Sequence, residues 1–150
     1  MKLTIEIKTS INKSVLCWLA TTSSDLIPNV SPKEIFNYFK DNSIIIANIA
    51  SPQTVRNIQQ NEHVCVSFID ILVQKGFQIK GTAKIVDAQA IEFLEMEKVL
   101  TKMTGGQFPF ASITHILIKE IKPIIAPRYW LYPETTEEEQ IASARKTYGF

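Results

Sequence analysis

Cysteine, net charge, long apolar runs and glycine-rich motifs are all scarce in this sequence, and each scarcity excludes a class of protein. Two cysteines in 150 residues are too few for a disulfide-rich secreted domain. Cys17 and Cys65 form no C-x-x-C pair, and the two histidines form no H-x-H or H-E-x-x-H motif, so we expect neither a zinc site nor a redox dithiol. Both cysteines lie in apolar stretches and are predicted to be core residues in a reducing compartment.

The charge balance excludes two further classes of partner. The chain has 16 basic and 15 acidic side chains and a formal net charge of +1, with the two signs mixed along the sequence. Nucleic acid and anionic membranes usually require a basic excess or a one-sided basic patch. No apolar run approaches the roughly 20 residues that span a bilayer, and Met1–Thr9 lacks the apolar stretch of a secretory signal. We therefore expect a cytoplasmic protein with no nucleic-acid partner and no membrane partner.

Length and composition describe one globular domain. A chain of 150 residues with 45% hydrophobic content can bury roughly two-thirds of its unfolded surface, which is enough for a core without disulfides or structural metal. Neither G-x-G-x-x-G nor G-x-x-x-x-G-K-[ST] occurs, so a dinucleotide-binding fold and a P-loop are both disfavoured.

Six segments have strand character, and most of them are separated by turns. The almost continuous β-branched run from Ile44 to Ile49 predicts a strand buried on both faces. Pro28 and Pro32 confine their segment to a sheet edge, a bulge or a place without a ladder partner. The six predicted strands are Lys13–Ser24, Pro28–Lys33, Ser43–Ile49, Val64–Ile69, Gly76–Val86 and Ser112–Ile125.

Three helices are predicted between and after these strands. Ser51 is a candidate N-cap, with Pro52 at the first helical position. The helix predicted over Ala88–Met103 is followed by a glycine pair that is typical of a helix end. The third helix, near the C-terminus, begins at Thr135 or Thr136 with an acidic first turn.

This order of elements predicts a mainly β fold with accessory helices, in the form of a small closed or split barrel. We assign residues 1–126 to the barrel. Residues 127–150 form a C-terminal segment that contains the aromatic cluster Tyr129–Tyr132 and the last helix, and that packs on the barrel or on a dimer partner.

The junction between the third strand and the first helix carries the chemistry. The free amides at a helix start, with the helix dipole behind them, suit a phosphate monoester. Ser51, Gln53 and Thr54 add neutral donors, and Arg56 or Lys33 would supply positive charge. The alternative is that Ser51 only caps the helix while Thr54 and Arg56 are solvated.

Four pieces of the chain also match a known pattern in order and spacing. Together they resemble the flavin-nucleotide-binding split barrels related to pyridoxamine 5'-phosphate oxidase, and the tail Ala126–Trp130 with Tyr148–Gly149 resembles a subset of them. The pieces are Leu19–Thr22 with Pro28–Pro32; the strand Ile44–Ile49; Ser51–Ile58, similar to S-x-[KQ]-T-x-x-N-[IL], followed by Asn61–Phe68; and Phe77–Ala83, similar to x-[LIV]-x-G-x-A.

The resemblance implies a six-stranded, antiparallel FMN-binding split β-barrel of Greek-key type, with FMN at a homodimer interface. It places the FMN phosphate at Ser51, Gln53 and Thr54. Tyr129 and Trp130 would either cover the flavin from the partner subunit or fill the dimer interface. Residues implied along the ribityl chain and the ring edge are Ser31, Pro32, Lys33, Ile46, Ala47 and Asn48.

Two departures from the oxidases themselves accompany this resemblance. Pro28–Lys33 stands in place of their R-x-V-L-L-K strand, and Tyr129–Pro133 does not match their R-L-x-P segment. The departures disfavour the oxidase activity itself, and the resemblance implies an FMN-dependent oxidoreductase, of flavin reductase type or pyridoxamine 5'-phosphate oxidase-like, that acts on an unidentified small molecule. A non-catalytic flavin carrier or electron-transfer protein is the alternative. A third hypothesis is a binding module that holds no cofactor or holds haem, with His63 or His115 as the candidate axial ligand. No residue identifies itself as catalytic.

Overall fold

A computed structural model describes residues 1–150 and contains seven strands and five helices. The strands are β1 (Cys17–Thr22), β2 (Pro28–Lys33), β3 (Phe36–Phe39), β4 (Ser43–Ala47), β5 (His63–Asp70), β6 (Lys75–Asp87) and β7 (Ser112–Ile125). The helices are α1 (Ile5–Lys13), α2 (Pro52–Gln60), α3 (Phe93–Thr104), α4 (Pro127–Leu131) and α5 (Glu137–Tyr148).

The strands form one antiparallel sheet in the order β2-β1-β5-β6-β7-β4-β3. The sheet curls into a half-barrel, which confirms the predicted mainly β, antiparallel split barrel with accessory helices. It has one strand more than the six predicted, because Phe36–Phe39 adds β3 at the edge beside β4. The proline-containing strand β2 lies at the opposite edge, where its missing amide donors break no ladder.

β4 is buried on both faces, as its β-branched run predicts. Ile44 and Ile46 point into the main core inside the barrel, together with Leu19, Val66 and other inward-facing strand residues. Ile45 lies on the opposite face, where α3 covers it. Alternate side chains of one strand therefore enter two separate apolar clusters.

Helix α1 covers the main core and was not predicted from the sequence. The hydroxyl of Thr4 caps it by accepting a hydrogen bond from the Ile7 amide at 3.3 Å. Ile7 and Ile11, one turn apart, are buried against the barrel interior. Thr4 followed by apolar residues at this spacing was the available sequence indication.

The other helices agree with the sequence in kind. α3 begins at Phe93, several residues after the predicted start, and ends at Gly105 in the left-handed conformation. Thr136 caps α5 through a capping box with Glu139. The aromatic cluster of the tail forms the short helix α4. None of the helices is long and apolar enough to cross a membrane.

Candidate functional site

The turn from β4 into α2 leaves two main-chain N–H groups without an acceptor. Ala50 has a left-handed backbone (φ +49°), which is uncommon for a residue with a Cβ. Ser51 stands at the N-cap position but does not cap with its side chain; its hydroxyl donates to the Ile49 carbonyl at 3.0 Å instead. Ser51 is therefore the N-cap residue and Pro52 the first helical residue, as predicted, but the side chain of Ser51 makes no capping hydrogen bond. The main-chain amides of Gln53 and Thr54 have no acceptor within the chain, so two donors remain available at the helix start.

Lys33 brings a positive charge to these donors. Its side chain comes from the end of β2, is only 8% exposed, and donates to the Ser51 hydroxyl. Burial lowers the pKa of Lys33, and its backbone lies opposite Cys17 in the ladder. Burial raises the pKa of the Cys17 thiol to about 12, so this cysteine is neutral and unreactive. Lys33 is the only cation at this position, with a single protein partner.

Thr54 and Ser31 connect the helix start to the same edge strand. Their hydroxyl oxygens are 3.4 Å apart, and Thr54 is buried beneath the first turn of α2. Ser31 and Lys33 both belong to β2 and both reach α2. The structure thus brings four of the predicted residues together at one point, namely Ser31, Lys33, Ser51 and Thr54.

Gln53 and Arg56 do not turn toward that point. The Gln53 side-chain amide donates to Asn57 Oδ1 at 2.7 Å and accepts from the Arg56 guanidinium at 2.8 Å. Asn57 is buried and donates to the Thr21 hydroxyl at 3.0 Å, which anchors α2 on β1. The two side chains that were expected to meet a phosphate are therefore engaged along the helix. Only the main-chain amide of Gln53 faces the free helix end.

The side chains of Asn48 and Ile46 do not point to the start of α2. The Asn48 amide donates to Ser112 Oγ at 3.2 Å and accepts from the Thr114 hydroxyl at 2.8 Å, so it faces β7. Ile46 is fully buried in the main core. The role of these two residues along the ring edge therefore stays a prediction.

A cleft of about 460 Å³ opens beside Lys33 and Ser51, within the usual size range of ligand pockets. We call it the α2 cleft. Pro32, Lys33, Ala47 and Ser51 of the predicted site line it. Ile49, expected to contribute to the apolar surroundings of the flavin, also lines it. The rest of the wall was not predicted and consists of Val15, Glu34, Ile35, Met103, Thr104 and Phe108.

The far wall of the cleft comes from the end of α3 and the loop that follows it. Met103 and Thr104 close the helix, and Phe108 stands in the loop. The sequence did carry an indication of this wall. The glycine pair marks the helix end, and Phe108 follows it two residues later as an apolar ring in the loop.

Tyr129 and Trp130 lie away from the α2 cleft of their own chain. The Tyr129 hydroxyl donates to the Val73 carbonyl at 2.8 Å, and the Lys75 ammonium lies 4.4 Å from its ring centre. Burial raises the pKa of Tyr129. Trp130 is 73% exposed. In the single chain, Tyr129 fastens α4 to the β5–β6 turn.

Neither histidine reaches the cleft. His63 is exposed at the start of β5. His115 lies on β7, edge-on to the ring of Phe39 with ring centres 6.2 Å apart, and burial lowers its pKa. A haem in the α2 cleft would have no histidine on its walls.

An apolar groove of about 650 Å³ runs beside the cleft. Val15 lines both cavities and is 77% exposed. The groove is also lined by the exposed side chains of Trp18, Ile69, Ile71 and Phe150. Contiguous apolar exposure of this kind marks an interaction surface more often than a solvated one.

Known proteins resemble this chain over most of its length. The family model of pyridoxamine 5'-phosphate oxidase matches residues 3–138, whereas no curated protein matches. The structure of HupZ from Group A Streptococcus is 26% identical with a TM-score of 0.67, covering 79% of this chain and 91% of that one.

Two more distant structures have the same fold. An FMN-binding protein from Syntrophomonas wolfei is 19% identical with a TM-score of 0.67, over 80% of this chain and 84% of that one. HutZ from Vibrio cholerae, described as a heme storage protein, is 19% identical with a TM-score of 0.63, over 83% and 95%.

The family model spans the barrel and the start of the tail, including β2, the β4–α2 junction and the far wall of the cleft. The resemblance inferred from the sequence motifs is thereby confirmed. This chain belongs to the pyridoxamine 5'-phosphate oxidase family.

Proposed function

We propose that this protein binds FMN in the α2 cleft and is an FMN-dependent oxidoreductase acting on a small molecule. One observation carries the proposal. Buried Lys33 donates to the Ser51 hydroxyl at the start of α2, where two main-chain amides are free, and both residues line a cleft whose other walls are mostly apolar. This arrangement matches a ligand with an anionic end and an apolar ring.

The phosphate end fits the donors that the chain offers. Lys33 supplies a charge, the amides of Gln53 and Thr54 supply two hydrogen bonds, and the helix dipole adds to both. The hydroxyls of Ser51 and Thr54 lie beside them. A single phosphate can be held here without a basic patch, which agrees with the net charge of +1.

The ring end fits the apolar walls. Ile35, Ile49 and Met103 would exclude water, while Pro32 and Ala47 would lie along the ring edge. FMN itself would supply the hydride or electron transfer. The chain's own contribution is to hold the cofactor, shield it and leave one side open to a second molecule.

The wall of the cleft argues against a phosphorylated substrate. Lys33 and Glu34 are its only charged side chains, and Lys33 is needed for the cofactor. A second phosphate would find no cation and would meet the Glu34 carboxylate. We therefore propose a substrate without a phosphate group, in line with the missing oxidase motifs. A flavin carrier shares the same cofactor site, and reduction by NADH or NADPH alone would argue against that alternative.

The apolar groove supports a homodimer as the functional form. Val15 joins the groove to the cleft, so a second copy seated on the groove would lie next to the bound cofactor. Exposed Trp18 and Phe150 would be covered in such a dimer. We propose that Tyr129 or Trp130 of the partner covers the flavin in this dimer or fills the dimer interface.

The phosphate end is tested by changing Lys33 to methionine and titrating the protein with FMN and with riboflavin, which lacks the phosphate. We expect FMN affinity to fall about 10- to 100-fold, as for loss of one hydrogen bond to a charged group. Riboflavin affinity should not change. Lys98→Met, at an exposed position on α3, is the matched control and should bind both flavins like the unmodified protein.

Two results would contradict this proposal in different ways. A protein that is colourless as purified and does not change flavin fluorescence on titration would overturn FMN binding itself. Equal losses of FMN and riboflavin affinity in Lys33→Met would place the phosphate elsewhere in the molecule.

A further inference from the structure

The loop that follows α3 has an unusual backbone. Gly105 and Gly106 are left-handed (φ +62° and +86°), and an added Cβ at either would meet nothing within 4 Å. Phe108 is also left-handed (φ +58°) although it has a side chain. Non-glycine residues persist in this conformation where the surrounding structure imposes it, and they cluster at ligand-binding segments. We call residues 105–109 the Phe108 loop.

The loop is fixed at both ends and free in the middle. On one side α3 is held by the buried residues Met96 and Leu100. On the other side the Phe110 ring packs on Phe93 with ring centres 6.4 Å apart. Phe108 has no aromatic partner and is 60% exposed. The loop is thus anchored at both ends and carries an aromatic ring that is exposed and has no aromatic partner.

That ring lines the α2 cleft. Phe108 and Met103 stand on the wall formed by the end of α3, while Lys33 and Ser51 belong to the wall formed by β2 and α2. A ligand with an anionic group at one end and a planar ring at the other could contact Lys33 and Phe108 at the same time. Aromatic rings gain free energy from stacking beyond the burial of their area.

We propose that Phe108 packs against the ring system of the flavin in the α2 cleft and is the residue that selects a planar ring there. This inference rests on the proposed function, because it assigns a residue to the ring of the ligand proposed above. It divides recognition between two elements: β2 and α2 hold the phosphate, and the Phe108 loop holds the ring.

The experiment compares FMN with lumiflavin, which has the ring but neither the ribityl chain nor the phosphate. Fluorescence titrations are made with the unmodified protein, Phe108→Ala, Phe108→Trp and Lys33→Met. We expect Phe108→Ala to weaken both ligands by the same factor of about ten, the size seen when an aromatic stacking partner is removed. Phe108→Trp should bind as tightly as the unmodified protein, and ligand binding should quench the indole fluorescence that this variant has in addition to that of Trp18 and Trp130. Lys33→Met should weaken FMN alone.

A matched control removes an exposed apolar side chain elsewhere. Ile91 is 98% exposed just before α3, so Ile91→Ala should bind both ligands like the unmodified protein. Since Phe108 is itself exposed, we expect Phe108→Ala to fold, and unchanged thermal unfolding would verify this. Phe108→Leu, which keeps an apolar side chain without the ring, provides a second variant and should bind with intermediate affinity.

The outcomes separate this inference from the proposed function. If the unmodified protein binds FMN and Phe108→Ala binds FMN and lumiflavin equally tightly, the role of Phe108 is overturned while FMN binding stands. If Phe108→Ala weakens FMN but not lumiflavin, Phe108 does not touch the ring. If the unmodified protein binds neither flavin, the proposed function itself falls.

Discussion

His115 is a half-buried histidine with two lysines and one glutamate near it. It lies on β7 with its ring edge-on to Phe39, and burial is the main cause that lowers its pKa from 6.5. Lys84 and Lys40 lower the pKa further, while Glu92 opposes them. The folded protein therefore binds a proton at this position less readily than the unfolded chain does.

This pKa shift predicts acid sensitivity with a definite sign. Because the folded pKa lies below the unfolded value of 6.5, the unfolded chain holds more protons just below pH 6.5, and acid favours unfolding there. The free energy of unfolding should be undiminished above pH 6.5 and should fall as the pH drops toward the folded pKa. Urea unfolding at a series of pH values from 5 to 8 measures this.

The variant His115→Gln should flatten this part of the profile, because it removes the titrating group. His63→Gln, at an exposed strand end, serves as the control and should keep the slope of the unmodified protein. An unchanged slope in His115→Gln would mean that the acid sensitivity comes from other groups.

Some residues of the candidate site can be predicted from the local sequence, and the orientation of others cannot. Ser51 and Thr54 follow from the position of Pro52 at a helix start, since helix geometry is local. The orientation of Gln53 is not local, because it depends on Asn57, which is itself held by Thr21 from β1. No spacing rule reports such a contact across 36 residues.

At the scale of elements, the pairing of β6 with β7 depends on a close approach of two backbones. The register shifts between Lys80 and Gly81, which is a β-bulge. A Cβ on Gly81 would lie 2.4 Å from the Leu117 carbonyl oxygen and 2.8 Å from Ile116 Cγ2. These neighbours are backbone and buried side chain, so neither can move aside easily.

We expect Gly81→Ala to lower the free energy of unfolding by about 3 kcal/mol, the upper part of the usual range for overpacking. Gly105→Ala is the matched control, because its Cβ would meet nothing within 4 Å and only the left-handed backbone costs about 1 kcal/mol. Urea unfolding of the two variants measures the difference. Equal losses would show that the bulge tolerates a side chain.

The elements that sequence analysis missed are those with short or weak patterns. β3 has four residues, and its ends are buried while its middle is half-buried, so period-2 alternation is absent. α1 is rich in β-branched residues, which have low helix propensity, and packing of Ile7 and Ile11 on the core stabilises it. β4 and α2 were found because an isoleucine run and a proline at a helix start are strong local patterns.

At the scale of the whole molecule, the apolar groove and the α2 cleft are adjacent cavities. Val15 lines both, and Trp18, Ile71 and Phe150 leave the groove apolar and exposed. A monomer would keep this surface in water, next to the proposed FMN site, whereas a covered site excludes water and strengthens the electrostatic interactions inside it. Dimerisation through the groove would bury the apolar surface and would also exclude water from the neighbouring site. We therefore expect flavin affinity to depend on the oligomeric state.

The link predicts that a charge in the groove separates the subunits and weakens FMN binding. Trp18 is 49% exposed on β1, so Trp18→Lys should fold, while burying a lysine at an apolar interface is strongly unfavourable. We expect light scattering after size exclusion to give a dimer for the unmodified protein and a monomer for Trp18→Lys, with FMN affinity reduced about tenfold or more. Ile91→Lys, which adds the same charge at a 98% exposed position, should remain dimeric and bind FMN normally. A monomeric unmodified protein, or a Trp18→Lys variant that stays dimeric, would show that the groove is not the subunit interface.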